Sequence, residues 1–239
     1  MFFARTDRQP YADRVQAGEV LAEQVARQLT DQPAGRDRLL VLGLPRGGIP
    51  VAGRVAAALH APLDVLLVRK VGLPGQPELA MGAIAAIGDQ TAVVRNEPVL
   101  QQRRVPAAEF AEACRTELDA LREQAIRYRG DRQPLELAGR PVVVVDDGLA
   151  TGATMRAAVA TLRLAGAGRL LLAVPIGAPG TCQALAGQVD ALVCPWQPPS
   201  FRSVSQGYLD FGQTSEAEVC QVLTDAGDRI SAAKPSRTE

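Results

Sequence analysis

Short hydrophobic runs alternate with helical patterns along most of the chain. The runs at residues 38–44, 63–68 and 141–145 have the length and the aliphatic content of buried strands. Between them lie segments with apolar side chains at helical spacing, of which residues 106–129 form the longest. This alternation predicts an α/β fold, in which helices flank a mostly parallel sheet with right-handed crossovers.

The rest of the pattern supplies further elements. Helices are also predicted at residues 11–29, 50–59, 154–165, near 182–187 and from 215 onward, and strands at 82–87, 91–94, 170–174 and 191–194. Residues 71–78 (VGLPGQPE) are predicted to form a loop, because glycine and proline interrupt them too often for a helix or a strand. We expect one domain over residues 1–239, in which residues 195–233, together with 1–30, form a small accessory region.

Composition excludes several classes of protein. The formal net charge of +0 argues against a nucleic-acid partner held by bulk charge. The sequence has neither the apolar centre of a secretory signal nor a run of about eighteen apolar residues, so we expect a cytoplasmic protein without membrane contact. The four cysteines lack C-x-x-C spacing, which predicts thiols in a reducing compartment. A single histidine, His60, and the lack of a G-x-S-x-G motif argue against a serine hydrolase.

One segment combines a buried strand, an acidic pair and a loop of small residues. In residues 142–154 (VVVVDDGLATGAT), the strand delivers Asp146 and Asp147 to the carboxyl edge of the sheet, where open α/β sheets bind ligands. The small residues let backbone N–H groups converge, Thr151 and Thr154 add hydroxyl donors, and the following helix N-terminus favours an anion. A phosphate cradle beside two carboxylates suits a ribose 5-phosphate, whose hydroxyls would meet the acidic pair.

Other interpretations of this segment are weaker. A hydrophobic strand that ends in Asp-Asp also occurs in P-loop ATPases, but the chain has no G-x-x-x-x-G-K-[ST] segment. A Rossmann dinucleotide site would need G-x-G-x-x-G, which neither glycine cluster supplies. An ordinary strand–turn–helix unit would not need two carboxylates at a buried edge.

Four segments carry a resemblance to one family. Residues 142–154 resemble the signature for phosphoribosyl pyrophosphate (PRPP) in type I phosphoribosyltransferases. Residues 44–52 (LPRGGIPVA) resemble the pyrophosphate loop of that family, in the form found in bacterial xanthine-guanine enzymes. Residues 68–71 (VRKV) and the segment after them resemble a third contact region and a mobile loop, and 201–211 (FRSVSQGYLDF) resemble the hood of purine enzymes. The whole chain is most similar to a bacterial group known as phosphoribosyltransferases without an assigned acceptor.

The resemblance implies a role for each matching residue. Asp146 and Asp147 would take part in catalysis by accepting hydrogen bonds from the ribose hydroxyls. The 5-phosphate would be held by Gly148, Leu149, Ala150, Thr151, Gly152, Ala153 and Thr154. Pyrophosphate would be held by Arg46, Gly47, Gly48, Arg69 and Lys70. Mg²⁺ would be carried in by PRPP, close to Asp146 and Asp147 but without direct protein ligands, and the Pro45–Arg46 peptide bond should be cis.

The sequence differs from part of the family at a position that is related to the acceptor base. Purine-6-oxo enzymes have Asp immediately before the T-G of the phosphate loop, whereas this chain has Ala150, as adenine-type enzymes do. Glu78, in the predicted mobile loop, is our candidate for the general acid or base, and a solvated loop residue is the alternative. Trp196 and Phe201 are candidates to stack on a base, and packing within the protein is the alternative.

The resemblance therefore implies an Mg²⁺-dependent phosphoribosyltransferase that joins a small nitrogenous base to the ribose 5-phosphate of PRPP, or runs in reverse. A non-catalytic PRPP-sensing module is the main alternative, and a hydrolase or phosphorylase of phosphoribosyl ligands is a third. Arg69 and Lys70 favour pyrophosphate chemistry, because a sensor of ribose phosphate alone would not need them. The expected partners are PRPP and the base, without nucleic acid or membrane, and a homodimer is compatible with the resemblance.

Overall fold

The computed structural model describes residues 9–30, 38–87, 90–130, 132 and 135–233. The helices are α1 (Arg14–Thr30), α2 (Gly48–Leu59), α3 (Glu97–Gln102), α4 (Ala107–Arg129), α5 (Ala153–Leu164), α6 (Pro179–Ala186) and α7 (Glu216–Ala233). The strands are β1 (Leu40–Gly43), β2 (Leu63–Val65), β3 (Leu67–Leu73), β4 (Gln76–Ile87), β5 (Gln90–Arg95), β6 (Val142–Val145), β7 (Leu170–Ala173) and β8 (Ala191–Val193). None of the described helices is long and apolar enough to cross a bilayer.

The main sheet contains five parallel strands in the order β2-β1-β6-β7-β8. Strands β1, β6 and β7 are buried along their whole length, which is why they stand out in the sequence as unbroken aliphatic runs. Gly43 at the end of β1 lies opposite Val145 at the end of β6. The segments that follow these two strands therefore leave the sheet side by side at its carboxyl edge. The predicted α/β class is confirmed.

Helices cover both faces of this sheet. On β6, Val143 and Val145 pack into a cluster with residues of α1, α2, α4 and α7. Val142 and Val144 point to the other face, where they join residues of α5 and α6. The alternation of side chains along a strand thus divides the core into two layers, one on each side of the sheet.

A second sheet is antiparallel and contains β3, β4 and β5. The loop predicted at residues 71–78 is wrong, because this segment forms the hairpin that joins β3 to β4. Gly75 supplies the positive φ of the turn (+76°), and the pairing register shifts on both sides of Gly72. A Cβ on Gly72 would lie 2.7 Å from the carbonyl oxygen of Pro77, so glycine permits the close approach that accommodates this proline in the strand.

Two other element predictions need correction. The run at residues 63–68 is not one strand, because the chain leaves the parallel sheet at Leu66 and enters the antiparallel sheet at Leu67. Both parts are buried and aliphatic, so hydrophobicity alone does not mark the change of sheet. Helix α3 was not predicted; it is a single short helix with Pro98 in its first turn.

The N-terminal and C-terminal parts of the described chain pack together. The amide of Tyr11 donates to the carbonyl of Gly207 at 2.8 Å, and the amide of Leu209 donates to the carbonyl of Tyr11 at 2.7 Å. The Tyr11 ring lies 5.8 Å from that of Tyr208 and 6.0 Å from that of Trp196, measured between centroids. These contacts form an aromatic cluster beside the carboxyl ends of β6 and β7.

Candidate active site

The acidic pair follows β6 directly, at the edge of the sheet. The amide of Asp147 donates to Oδ1 of Asp146 at 2.8 Å, so the backbone of the second residue holds the carboxyl group of the first. Burial raises the pKa of Asp146 well above its ordinary value of 3.8, and the neighbouring Asp147 carboxylate raises it further. Burial also raises the pKa of Asp147, although Arg14 acts in the opposite direction. The site thus holds two half-buried carboxyl groups whose pKa values are both raised above the ordinary value.

Arg14, at the start of α1, provides the positive charge next to this pair. Its Nε and NH2 atoms both lie 2.9 Å from Oδ2 of Asp147. Its third nitrogen, NH1, donates to the carbonyl of Gly212 at 2.6 Å, and its guanidinium carbon lies 4.1 Å from the ring centroid of Phe211. Arg14 therefore connects the N-terminal helix, the C-terminal segment and the acidic pair.

The backbone of the loop after β1 lies against the acidic pair. A Cβ on Gly47 would lie 2.0 Å from Oδ2 of Asp147, and a Cβ on Gly48 would lie 2.9 Å from Cα of Asp146. Only glycine fits at these two positions, which explains the Gly-Gly sequence of the loop. The Pro45–Arg46 peptide bond is cis, as predicted. Two segments that are about a hundred residues apart in the sequence thus meet at one edge of the sheet.

The loop between β6 and α5 is fixed by the segment that precedes α6. Leu149 donates to the carbonyl of Ile176 at 2.9 Å and accepts from the amide of Ala178 at 2.8 Å. The hydroxyl of Thr181 donates to the carbonyl of Ala150 at 2.8 Å. Gly152 adopts a left-handed conformation (φ 71°) just before α5 begins. The first amides of α5 have no partner within the helix, so this rigid loop presents donors that suit an anion.

A cleft of about 480 Å³ brings together residues from three of the predicted binding segments. It is lined by Pro45, Arg69, Lys70 and Thr154, and also by Glu117 and Gln124 of α4. NH1 of Arg69 lies 3.0 Å from Oε2 of Glu117. Asp146 and Asp147 are not among the residues that line this cleft. The cations of β3 therefore face the phosphate loop, while the acidic pair lies behind the glycines of the loop after β1.

Three further candidates are Glu78, Trp196 and Phe201. Glu78 belongs to strand β4 and not to a loop, and its side chain lies outside the described part of the structure. Trp196 and Phe201 are partly buried in the aromatic cluster with Tyr11 and Tyr208. Both rings thus contact other side chains of the protein, as expected if they pack within the protein and do not stack on a base.

Three residues near the site carried no sequence signal strong enough to identify them. Arg14 is one of many arginines on amphipathic helices, and its contacts depend on the fold alone. Glu117 belongs to a charged face of α4 that the pattern predicts to be solvated. Tyr208 lies within the segment that resembles a hood, and its hydroxyl donates to the carbonyl of Asp147 at 2.5 Å. Burial and the nearby Asp147 carboxylate raise the pKa of that hydroxyl, so it stays protonated as a donor.

No group of three or more histidine, cysteine, aspartate or glutamate side chains that could hold a metal occurs in the described part of the chain. In the acidic pair, one carboxylate oxygen of Asp147 is bonded to Arg14, and at the cleft the carboxylate of Glu117 is bonded to Arg69.

Residues 13–188 match the family model described as the phosphoribosyl transferase domain. This match covers most of the chain and includes the acidic pair, the loop after β1 and both cations of β3. The chain therefore belongs to the phosphoribosyltransferase domain family. The C-terminal segment with Trp196, Phe201 and Tyr208 lies beyond the matched residues.

Individual relatives agree with this assignment. One relative is a protein of Mycobacterium tuberculosis H37Rv that is named provisionally as a phosphoribosyl transferase. Its sequence is 45% identical to this chain over 216 residues, which are 90% of this chain and 47% of that protein. The chain thus spans about half the length of the curated relatives it matches. The crystal structure of TT1426 from Thermus thermophilus is 37% identical with a TM-score of 0.76, and the alignment covers 91% of this chain and 99% of that one.

Proposed function

We propose that the protein transfers ribose 5-phosphate between PRPP and a small nitrogenous base, with release or uptake of pyrophosphate. The observation that carries this proposal is the contact between Gly47 and the Asp147 carboxylate. It brings a loop suited to pyrophosphate next to a carboxylate pair suited to ribose hydroxyls. A ligand that fills both must carry a diol and a pyrophosphate on neighbouring carbons, as PRPP does.

Each part of PRPP has a suitable group in the site. The 5-phosphate would bind the amides of residues 148–154 together with the hydroxyls of Thr151 and Thr154. The ribose hydroxyls would donate to Asp146 and Asp147. The pyrophosphate would bind Arg46, the amides of Gly47 and Gly48, and the side chains of Arg69 and Lys70. Arg46, Arg69 and Lys70 are exposed, so these cations are accessible to an incoming anion.

The chemistry follows from the charges of these groups. Displacement at the anomeric carbon passes through a state with oxocarbenium character, as in glycoside hydrolysis. The carboxylates stabilise the positive charge that develops on the ribose, and the cations stabilise the departing pyrophosphate. Mg²⁺ prefers phosphate oxygens and water, so it would enter on PRPP and neutralise charge on the pyrophosphate. Asp146 and Asp147 would lie near the ion without coordinating it.

The acceptor is proposed from the residues that the resemblance relates to binding of a base. This chain has Ala150 at the position where purine-6-oxo enzymes have aspartate. A 6-amino purine or an unusual heterocycle is therefore favoured over hypoxanthine as the acceptor. The rings of Trp196 and Phe201 are proposed to contact the base with their faces or edges. Glu78 is proposed as the general acid or base, because it lies in the segment that resembles the part of the family that covers the site.

The test is release of pyrophosphate from Mg²⁺-PRPP in a screen of purine, pyrimidine and pyridine bases. We expect at least one base to give release, and we expect Glu78→Gln to slow it by roughly 10²- to 10⁴-fold if this carboxyl group transfers a proton. Glu112→Gln, which removes an exposed carboxylate of α4 from its ion pair with Arg115, is the matched control. Tight PRPP binding without release for any base would favour the PRPP-sensing alternative instead.

A further inference from the structure

Arg14 has a set of contacts that an ordinary surface ion pair lacks. All three of its guanidinium nitrogens are bonded, two to Asp147 and one to the carbonyl of Gly212. The side chains of Arg14 and Asp147 are 12% and 16% exposed, so solvent screens their interaction only weakly. Such a guanidinium has a fixed position, and its fixed donors in turn orient the carboxylate.

The geometry leaves part of Asp147 outside this contact. Nε and NH2 both approach Oδ2, so Oδ1 does not take part in the ion pair. In addition, Tyr208 donates its hydroxyl to the backbone carbonyl of Asp147. The same tyrosine ring lies 5.0 Å from Phe211, on which the guanidinium stacks. Side chain and backbone of Asp147 are therefore both held from one cluster, formed by Arg14, Tyr208 and Phe211.

We propose that Arg14 is a positioning residue, which holds Asp147 through one oxygen so that the other oxygen can accept a ribose hydroxyl. This inference rests on the proposed function, because it assumes that the acidic pair binds ribose. Phe211 and Gly212 fix the position of the guanidinium, and the guanidinium in turn fixes the orientation of the Asp147 carboxylate. The packing of α1 against the segment that contains Phe211 and Gly212 is thereby coupled to ribose binding. Arg14 also reduces the repulsion between the two carboxylates, because it is the only cation in ion-pair contact with either of them among the described residues.

Arg14 could instead bind pyrophosphate directly, and an experiment can distinguish this role from the positioning of Asp147. A Cβ on Gly47 would lie 3.1 Å from Nε of Arg14, so the guanidinium also lies close to the loop proposed for pyrophosphate. An arginine that binds pyrophosphate directly would affect every ligand that carries this group. An arginine that acts through Asp147 affects only ligands that carry the ribose hydroxyls.

The experiment measures the binding of Mg²⁺-PRPP, ribose 5-phosphate and Mg²⁺-pyrophosphate to the wild type, Arg14→Gln and Arg14→Lys by calorimetry. We expect Arg14→Gln to lower the affinities for PRPP and ribose 5-phosphate by roughly 10- to 100-fold, in line with the loss of an ordered charged hydrogen bond. Pyrophosphate affinity should stay within about twofold. Arg14→Lys should recover part of the loss, because the charge remains while the second contact to Oδ2 is lost.

Two controls make the result decisive. Arg27→Gln removes another arginine of α1, from an exposed ion pair with Glu23, and should change neither ligand affinity nor the unfolding temperature appreciably. In an Asp147→Asn background, Arg14→Gln should cause no further loss of ribose 5-phosphate affinity, because the carboxylate it positions is gone. Additive losses in this double-mutant cycle, or a loss of pyrophosphate affinity equal to that of PRPP, would overturn the inference.

The outcomes also separate this inference from the proposed function. If the wild type binds neither PRPP nor ribose 5-phosphate, the proposed function fails and the role of Arg14 fails with it. If the wild type binds both and Arg14→Gln binds them equally well, only the role of Arg14 is rejected. Arg14→Lys keeps the experiment informative if Arg14→Gln does not fold.

Discussion

Burial raises the pKa of both Asp146 and Asp147, but within the described part of the chain only Asp147 is paired with a cation. Asp147 has a cation at 2.9 Å, whereas the chief influences on Asp146 are burial and its like-charged neighbour. A carboxyl group with a raised pKa costs folding free energy once the pH exceeds its ordinary pKa, and this cost grows until the raised pKa is passed. At neutral pH, Asp146 therefore destabilises the ligand-free protein.

We expect Asp146→Asn to raise the free energy of unfolding of the ligand-free protein by roughly 1–2 kcal/mol at neutral pH. The gain should shrink as the pH falls toward the ordinary carboxyl pKa. Asp147→Asn should instead lower the free energy of unfolding by roughly 1–3 kcal/mol, because Arg14 loses its partner in a poorly solvated site. Denaturant unfolding at several pH values measures both changes. Equal effects of the two substitutions would contradict this account.

Gly47 is the residue at which the two halves of the site are in closest contact. In Gly47→Ala, the added Cβ would lie 2.0 Å from Oδ2 of Asp147, so the loop or the carboxylate must move. We expect PRPP affinity to fall at least about tenfold, because the displaced carboxylate loses a charged hydrogen bond. Gly180→Ala in α6 is the matched control, since a Cβ there meets nothing within 4 Å. A normal PRPP affinity in Gly47→Ala would show that this contact is not needed for binding.

Residue types and spacing predicted the acidic pair and its phosphate loop, and the resemblance to phosphoribosyltransferases predicted the glycine loop and the cis peptide bond, because each belongs to a continuous motif. Arg14 could not be found in this way. Its role depends on the packing of α1 against a segment that begins about two hundred residues later, and an arginine near a helix start has no distinctive local pattern. Contacts of this kind follow only from the assembled fold.

The hairpin β3–β4 shows how an element can be hidden from sequence analysis. Its glycines and prolines indicate a loop, yet Gly75 makes the turn and Gly72 makes room for Pro77 within a paired ladder. The same residues that break a regular strand are thus the ones that shape a bulged one. By contrast, β1, β6 and β7 were located to within two residues at either end, because burial on both faces gives them an unbroken aliphatic composition.

The ion pair between Arg69 and Glu117 links this hairpin to α4. It joins a cation proposed to bind pyrophosphate to a carboxylate in the same cleft. Glu117→Gln should free Arg69 and remove a negative charge, so we expect pyrophosphate to bind roughly two- to fivefold more tightly, a modest gain because the pair is solvent-exposed. Asp119→Asn, which breaks the exposed pair with Arg122 on the same helix, is the control. Titration of Mg²⁺-pyrophosphate measures the change, and a weaker affinity in Glu117→Gln would contradict the assigned role of Arg69.

At the scale of the whole molecule, the groups proposed to bind PRPP come from different sheets. The acidic pair, the glycine loop and the phosphate loop all leave the parallel sheet at its carboxyl edge, whereas Arg69 and Lys70 belong to the antiparallel sheet. The order of strands and helices predicted the first sheet. The second sheet was foreseen only as two short strands, because its first strand continues the hydrophobic run of β2 without a break in the pattern.

Under the proposed function, PRPP is a bivalent ligand. Its ribose 5-phosphate half would contact the acidic pair and the phosphate loop, and its pyrophosphate half would contact the glycine loop and the cations of β3. Binding of one half would then raise the effective concentration of the other to the millimolar range or above. We expect PRPP to bind at least about 100-fold more tightly than either ribose 5-phosphate or pyrophosphate alone. Calorimetry of the three ligands tests this, and similar affinities would show that the halves do not cooperate. Transfer of the ribose 5-phosphate half to a base would end the bivalency, so pyrophosphate would then be held only by its own weaker affinity and could leave the site readily.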